Sequence, residues 1–268
     1  MRLAMVLIIF SLGAPGAVFA ETAHGFEDTC RLRHKASVSD EGLENSVRFA
    51  ASDSDFLHLV NRENLLPADY RPDDLVRFQG IELREPARDA FGEMLEAMES
   101  EGIYGLRLQS AYRCFTHQRA VFEDKVRLTM AKGHGREEAT QIASQSVQPP
   151  GASEHQLGLA LDVSINGQLT GAFAHTEAGK WLAENCHYFG FIVRYPQGKS
   201  DVTRIIYEPW HLRFVGVPHA QILYENGITL EEYRGFLARH YMYVVWDRDG
   251  YFLVQLWGDD VRVEKKQN

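Results

Sequence analysis

Hydrophobic residues fall at helical spacing in EPARDAFGEMLEAMES (residues 85–100), where Phe91, Met94, Leu95 and Met98 mark one face and Pro86 suits a first turn. The same period returns in THQRAVFEDKVRLTMAKG, with Thr116 as the expected N-cap and Gly133 as the stop, and in the shorter REEATQIASQSV. It appears again in HTEAGKWLAENCHYFGF, capped by Thr176, turned inward at Trp181, Leu182 and Phe189, and ended by Gly190. TLEEYRGFL opens on a capping-box pair, Thr229 and Glu232. Between these segments the period shortens. GLRLQSAYR (105–113) alternates like a strand, LALDVS reads as a buried one, and FIVRYP and RIIYEPWHLRFV are strand-like around the turn-prone QGKSD. YMYVVWDRDGYFLVQLWG places two β-rich runs about an Asp-Gly turn, a hairpin signal. The prolines of LLPADYRPDDLV predict an extended segment wrapping the domain. Helices segregated around short strands predict an α+β fold.

The first twenty residues have a different pattern. Arg2 precedes an apolar core from Leu3 to Leu12, a Gly/Pro break follows, and Val18-Phe19-Ala20 offers small residues at −3 and −1 of a cleavage site. This is the anatomy of a secretory signal, and the apolar core falls short of the ~20 residues that a spanning helix needs. The expectation is cleavage after Ala20, an exported mature chain in the periplasm, extracellular space or cell wall, and no membrane span in it. The remaining composition changes little. The 268 residues suit one large domain with extensions, and a formal net charge of −9 argues against a nucleic-acid partner, whose phosphates call for a basic surface.

One apolar stretch carries a contradiction. In PPGASEHQLGLALDVS (149–164), Asp162 interrupts a run that otherwise reads as buried strand. An ionised carboxylate there is costly unless it is paired, hydrogen-bonded or bound to metal. Other polar residues interrupt strand-like text in the same way: Arg113 at the end of LQSAYR, His155 before Asp162, and Glu208 with His211 in YEPWHLRF. Two histidines and one carboxylate, with a fourth position left for water, form a catalytic zinc pattern, and a further carboxylate can act as base on that water. The pattern makes a geometric demand. Glu208 and His211 are three apart, which puts them on opposite faces of a regular strand, so an irregularity near Pro209 is required. Of the other nine histidines, His175 and His187 flank one helix, but none has a matching partner pattern.

SAYRCFTHQ, PPGASEHQLGLALDVS and YEPWHLRFV resemble the three signature segments of the zinc D-alanyl-D-alanine carboxypeptidases of the VanY type, in the wider group of lysostaphin-like peptidases and the hedgehog signalling domain. The resemblance extends over about residues 57–237 and leaves the terminal hairpin, 241–257, outside. It implies a small, mainly antiparallel sheet flanked by helices, one Zn2+ held by His155, Asp162 and His211, Glu208 as catalytic base, and Arg113 polarising the scissile carbonyl. It implies that Ser153 and Gln118 bind the substrate's terminal carboxylate, and that Tyr195 and Trp210 wall the site. Ala111 and Cys114 stand where such segments usually read Gly and Ser; both flank Arg113 and replace no catalytic group.

The implied activity is removal of the terminal D-alanine from peptidoglycan stem peptides, of D,D- or L,D-type. A non-catalytic zinc-binding module and a cell-wall endopeptidase on the same scaffold are the alternatives; retention of Glu208 and Arg113 argues against the first. The expected organisation is a signal peptide (1–20), an N-terminal extension (21–56), a zinc carboxypeptidase domain (57–239) and a C-terminal β-hairpin extension (240–268). The oligomeric state is open. Three cysteines leave at least one unpaired, and the absence of CxxC argues against a cysteine-ligated metal. A Cys114–Cys186 bridge would brace the segment beside Arg113 and leave Cys30 free.

Overall fold

The structure, a computed structural model, describes residues 6–8, 56–237, 241–247, 250–257 and 260–267. The chain divides into two units, Met1–Leu57 with Glu232–Asn268, and His58–Glu231. In the first unit, β1 (Val6–Ile8) pairs antiparallel with Tyr241–Asp247, which pairs with Gly250–Trp257, which pairs with Asp260–Gln267. The hairpin expected around Asp-Gly is therefore present, extended by a third C-terminal strand that the sequence reading missed.

The second unit opens on irregular chain, where the proline-punctuated segment turns at Tyr70, whose N–H donates to the Pro67 carbonyl at 3.1 Å. It then forms the hairpin β2 (Leu75–Phe78) and β3 (Ile81–Arg84), turned at Gln79 and Gly80, both with positive φ. Helix α1 (Glu85–Ser100) follows directly. Pro86 lies in its first turn; Phe91, Met94 and Met98 of the expected stripe are buried together with Ala87, while Leu95 is only partly buried. After β4 (Arg107–Ser110) comes α2 (Phe115–Met130). Cys114 is its N-cap, and Thr116 lies inside the helix, contrary to expectation. Cys114 makes no side-chain cap bond, so the helix forgoes the stabilisation that a serine there would bring. Helix α3 (Arg136–Ala143) packs on α2 through Phe122, Val126, Ala139 and Ala143.

The central sheet has the order β4–β5–β7–β6, antiparallel throughout, with β5 at Ala160–Ser164, β6 at Phe191–Tyr195 and β7 at Glu208–Phe214. Every residue of β5 is buried, Asp162 included. Between β5 and β6, α4 (Glu177–Asn185) is capped by Thr176, whose hydroxyl accepts from the Gly179 N–H at 3.0 Å. A 3-10 turn (Cys186–Phe189) continues it to Gly190. The expected turn before β7 holds a short helix, α5 (Ser200–Thr203), and α6 (Val217–Asn226) and α7 (Leu230–Leu237) follow the strand. The α+β fold is what the pattern implied, and the small antiparallel sheet is what the resemblance implied. No helix among the described residues is long and apolar enough to cross a membrane.

The proposed disulfide is corrected. Cys114 and Cys186 are both free, Cys114 exposed and Cys186 buried with its thiol turned to the Phe191 carbonyl at 3.4 Å. Their placements differ because one caps an exposed helix start and the other closes a buried turn. Cys30, the signal-peptide cleavage site and most of the N-terminal extension lie outside the described residues.

Candidate active site

Asp162 lies opposite His211 in the β5–β7 register and opposite Ser110 in the β4–β5 register, so the sheet itself brings strand residues far apart in the chain into one cluster. His155 arrives from a 3-10 turn (Glu154–Leu157) that leads into β5. The turn closes at Gly158 with φ +68°, where a Cβ would meet Leu75 Cδ2 at 2.9 Å and Arg84 Cγ at 3.1 Å. Glycine there satisfies both the left-handed backbone and the close packing of the hairpin.

The irregularity demanded of β7 is present. Val193 faces Leu212 while Tyr195 faces Glu208, so two steps on β6 match four on β7, and the register shifts in that interval. The extra residues, Pro209 among them, let Glu208 and His211 approach one centre, with Glu208 Oε2 at 3.8 Å from His211 Nδ1. A second shift, between Leu108 and Ser110, lies on the other side of β5.

His155 Nδ1 donates to the Ala111 carbonyl at 2.6 Å, which leaves Nε2 as the bare lone pair. That nitrogen is buried, has no hydrogen-bond partner among the described residues, and stands 3.2 Å from Asp162 Oδ2. His211 Nδ1 is 3.0 Å from Asp162 Oδ1. One ligating atom from each of the three residues lies within 4.8 Å of the others. The ligands of a tetrahedral zinc, with bonds of about 2.0–2.2 Å, stand roughly 3.3 Å apart, so the three residues fit such an ion. Because Ala111 contributes only its backbone carbonyl, the exchange of Gly for Ala there leaves this support intact.

The electrostatics suit a metal site. Burial, with the Arg113 charge next, pulls His155 down to about 4 despite the nearby Asp162, so its imidazole is neutral as a ligand must be. Burial alone would raise Asp162, but His155 and His211 outweigh it and hold the carboxyl well below the usual range. Glu208 goes the other way: burial and then repulsion from Asp162 push it up to about 9, against Arg113 and Lys125. A dication at the cluster reverses the Asp162 contribution and favours the ionised form that a base needs.

A cleft of about 360 Å³ opens onto the cluster, lined by His155, Asp162, His211, Glu208 and Arg113, with Ser153, Tyr195 and Trp210 also on its wall. Gln118 is placed differently. It is 1% exposed and absent from that wall; its Oε1 accepts from Arg113 Nε at 2.9 Å and its Nε2 donates to the Gln148 carbonyl at 2.6 Å. Gln118 thus braces Arg113, whose Nη1 also donates to Ser110 Oγ at 2.8 Å and approaches Asp162 Oδ2 at 3.4 Å. Of the two flanking histidines, neither joins the cluster, and His187 stacks on Tyr224 with ring centroids 3.7 Å apart.

Sequence reasoning missed the ion network under the site. Glu154 Oε1, fully buried, accepts from Arg194 Nε at 2.8 Å and lies 2.8 Å from Arg213 Nη1, while Arg194 grips Glu231 at 2.9 and 2.6 Å. Arg194 and Arg213 interrupt apolar strands just as Asp162 does, so the same signal was available for them.

The family model for VanY, D-alanyl-D-alanine carboxypeptidase, matches residues 80–217, more than half of the chain. YodJ of Bacillus subtilis (strain 168) is 42% identical over 190 residues, 66% of this chain and 66% of that protein. A D-alanyl-D-alanine carboxypeptidase of Enterococcus faecalis (strain ATCC 700802 / V583) is 36% identical over 203 residues, 73% of each chain. A solved structure of a variant of the vancomycin-resistance D,D-pentapeptidase VanY, in complex with Zn(II), superposes with a TM-score of 0.61 at 36% identity, covering 67% of this chain and 99% of that one. With its signature segments folded around one His–Asp–His cluster, the chain belongs to the VanY family of D-alanyl-D-alanine carboxypeptidases.

Proposed function

We propose that the protein is an exported, zinc-dependent carboxypeptidase that removes the terminal D-alanine from peptidoglycan stem peptides. The observation that carries this reading is the juxtaposition of Glu208 and Arg113 with the His155–Asp162–His211 cluster on the wall of one cleft. A structural metal site has no use for a base or for a cation aimed into a cleft. Zinc held by the three residues would supply Lewis acidity and lower the pKa of a bound water to about 7.

The chain's own residues do the rest. Glu208, 5% exposed and beside the cluster, takes the proton of the attacking water and delivers it to the leaving amine. Arg113, held at Nε by Gln118 and at Nη1 by Ser110, has its remaining Nη2 without a partner among the described residues and so able to meet charge growing on the scissile carbonyl oxygen. Comparable donors are worth about 2.7–4 kcal/mol. Ser153 lines the cleft with its hydroxyl available for the terminal carboxylate, and Tyr195 and Trp210 wall the peptide. The N-terminal signal pattern supports export, which takes the protein to where stem peptides lie.

The test is mass spectrometry of purified muropeptides after incubation with the protein. Release of terminal D-alanine is expected, abolished by a chelator and restored by zinc. Glu208→Gln should keep its zinc while kcat falls on the order of 10²–10⁴-fold, as for a lost general base. Loss of the metal from Glu208→Gln would make Glu208 a ligand, and full activity would move the base elsewhere.

A further inference from the structure

Helix α2 runs along the cleft and presents Val121 and Lys125 to it, with Gln118 on the same face one turn earlier. Lys125 stands seven residues beyond Gln118, about 10 Å along the axis at 1.5 Å per residue. It is partly exposed, and its ammonium has no ion pair or hydrogen bond among the described residues. The neighbouring acids on its own helix are taken: Glu123 pairs with Arg136 at 2.8 Å and Asp124 with Arg127 at 2.9 Å. The other cation of the cleft, Arg113, is held by Gln118, Ser110 and Asp162. Among the described residues Lys125 is thus a cleft cation with no direct partner; its charge acts on Glu208, which lines the same cleft, and Leu169, Ile205 and Ile206 give that wall an apolar part.

We propose that Lys125 is a specificity-determining residue that takes a carboxylate of the peptide substrate. An ammonium facing a partly desolvated cleft gains most from an anionic partner, and a charge-assisted hydrogen bond is about twice as strong as a neutral one. A peptide offers that carboxylate from two sources, its own terminus and an acidic side chain nearer its N-terminal end. The proposal rests on the peptidase reading above, since it takes the cleft to be the peptide site.

The experiment uses the full chain and four acetylated tripeptides, acetyl-X-D-Ala-D-Ala, with X either Glu or Gln and the terminus either acid or carboxamide. Binding is measured calorimetrically to the chelator-treated protein, and kcat/KM to the zinc-loaded one. The wild type should favour acid over amide by at least about tenfold in one of the two comparisons, the range for hydrogen bonds to charged groups. Lys125→Gln should bring that ratio to within about threefold of unity, and Lys125→Arg should preserve most of it. Collapse of the terminal comparison assigns Lys125 to the C-terminal carboxylate; collapse of the Glu/Gln comparison assigns it to the side chain. Equal ratios in wild type and Lys125→Gln, or no discrimination by the wild type, overturn the proposal. Absence of hydrolysis both of these peptides and of the muropeptides above, together with a binding preference that Lys125→Gln abolishes, overturns the peptidase reading and leaves the carboxylate site standing.

Discussion

Cys186 and Cys114 occupy opposite surroundings, and their reactivity should follow. Burial pushes the Cys186 thiol up to about 12, so at pH 8 it is protonated as well as inaccessible, whereas Cys114 is exposed at the start of α2. A thiol reagent should label Cys114 within minutes and Cys186 only after unfolding, read by peptide mass spectrometry; fast native labelling of Cys186 would contradict its burial. At this scale the sequence was informative where residue type and surroundings conflict. Asp162 in an apolar strand called for a partner, and the fold brings His155 and His211 beside it. Gln118 gave no such signal. A glutamine on a helix looks the same whether it faces a cleft or braces an arginine, and only the fold shows that its amide is spent on Arg113 and Gln148.

Among elements, the 3-10 turn before β5, strand β6 and strand β7 are tied by the Glu154–Arg194–Arg213 contacts, and Glu231 adds a second carboxylate beside Arg194. The four formal charges cancel. Burial would raise Glu154, but Arg194 and Arg213 outweigh it and lower its pKa. Its stabilising effect is therefore full above the unfolded value near 4.5 and is lost as pH falls through the lower folded value. Glu154→Gln removes one of the two carboxylates that balance Arg194 and Arg213, leaves one buried positive charge uncompensated and should cost about 3–5 kcal/mol. That corresponds to a fall in Tm on the order of 10 °C. Calorimetry at pH 7 and below pH 4 checks both parts: the gap between variant and wild type should narrow in acid. A constant gap would show that the charge of Glu154 is not what holds the strands. Helix and strand positions were largely legible from spacing, as in α1 and α4. The bulge at Pro209 was inferred only because the chemistry required it, since period-2 reasoning forbids the pair it creates.

For the whole molecule, the proposed zinc site would join folding to metal. A ligand that binds only the folded state stabilises it by about 2.7 kcal/mol at a hundredfold excess over Kd. Zinc should raise the Tm of the wild type by several degrees, and the same addition should leave Asp162→Ala unmoved. His155→Ala and His211→Ala should weaken metal retention likewise, while His175→Ala and His187→Ala should not. An equal zinc shift in wild type and Asp162→Ala would place the ion elsewhere. The β-rich runs after residue 240 were legible in the sequence as strands. The third C-terminal strand was not, because DVRVEKKQ is too charged to read as a strand without its partner.

Asp162 lies 49 residues from Arg113 on one side and 49 from His211 on the other. Each contact closes a long loop, and the entropy of closure falls on the chain twice before either partner is gained. During synthesis β5 emerges well before β7, so its buried carboxylate must wait for most of the remaining domain. The cluster cannot exist in any nascent chain shorter than His211, which on the zinc reading makes acquisition of the ion a late event and a marker that the sheet is complete.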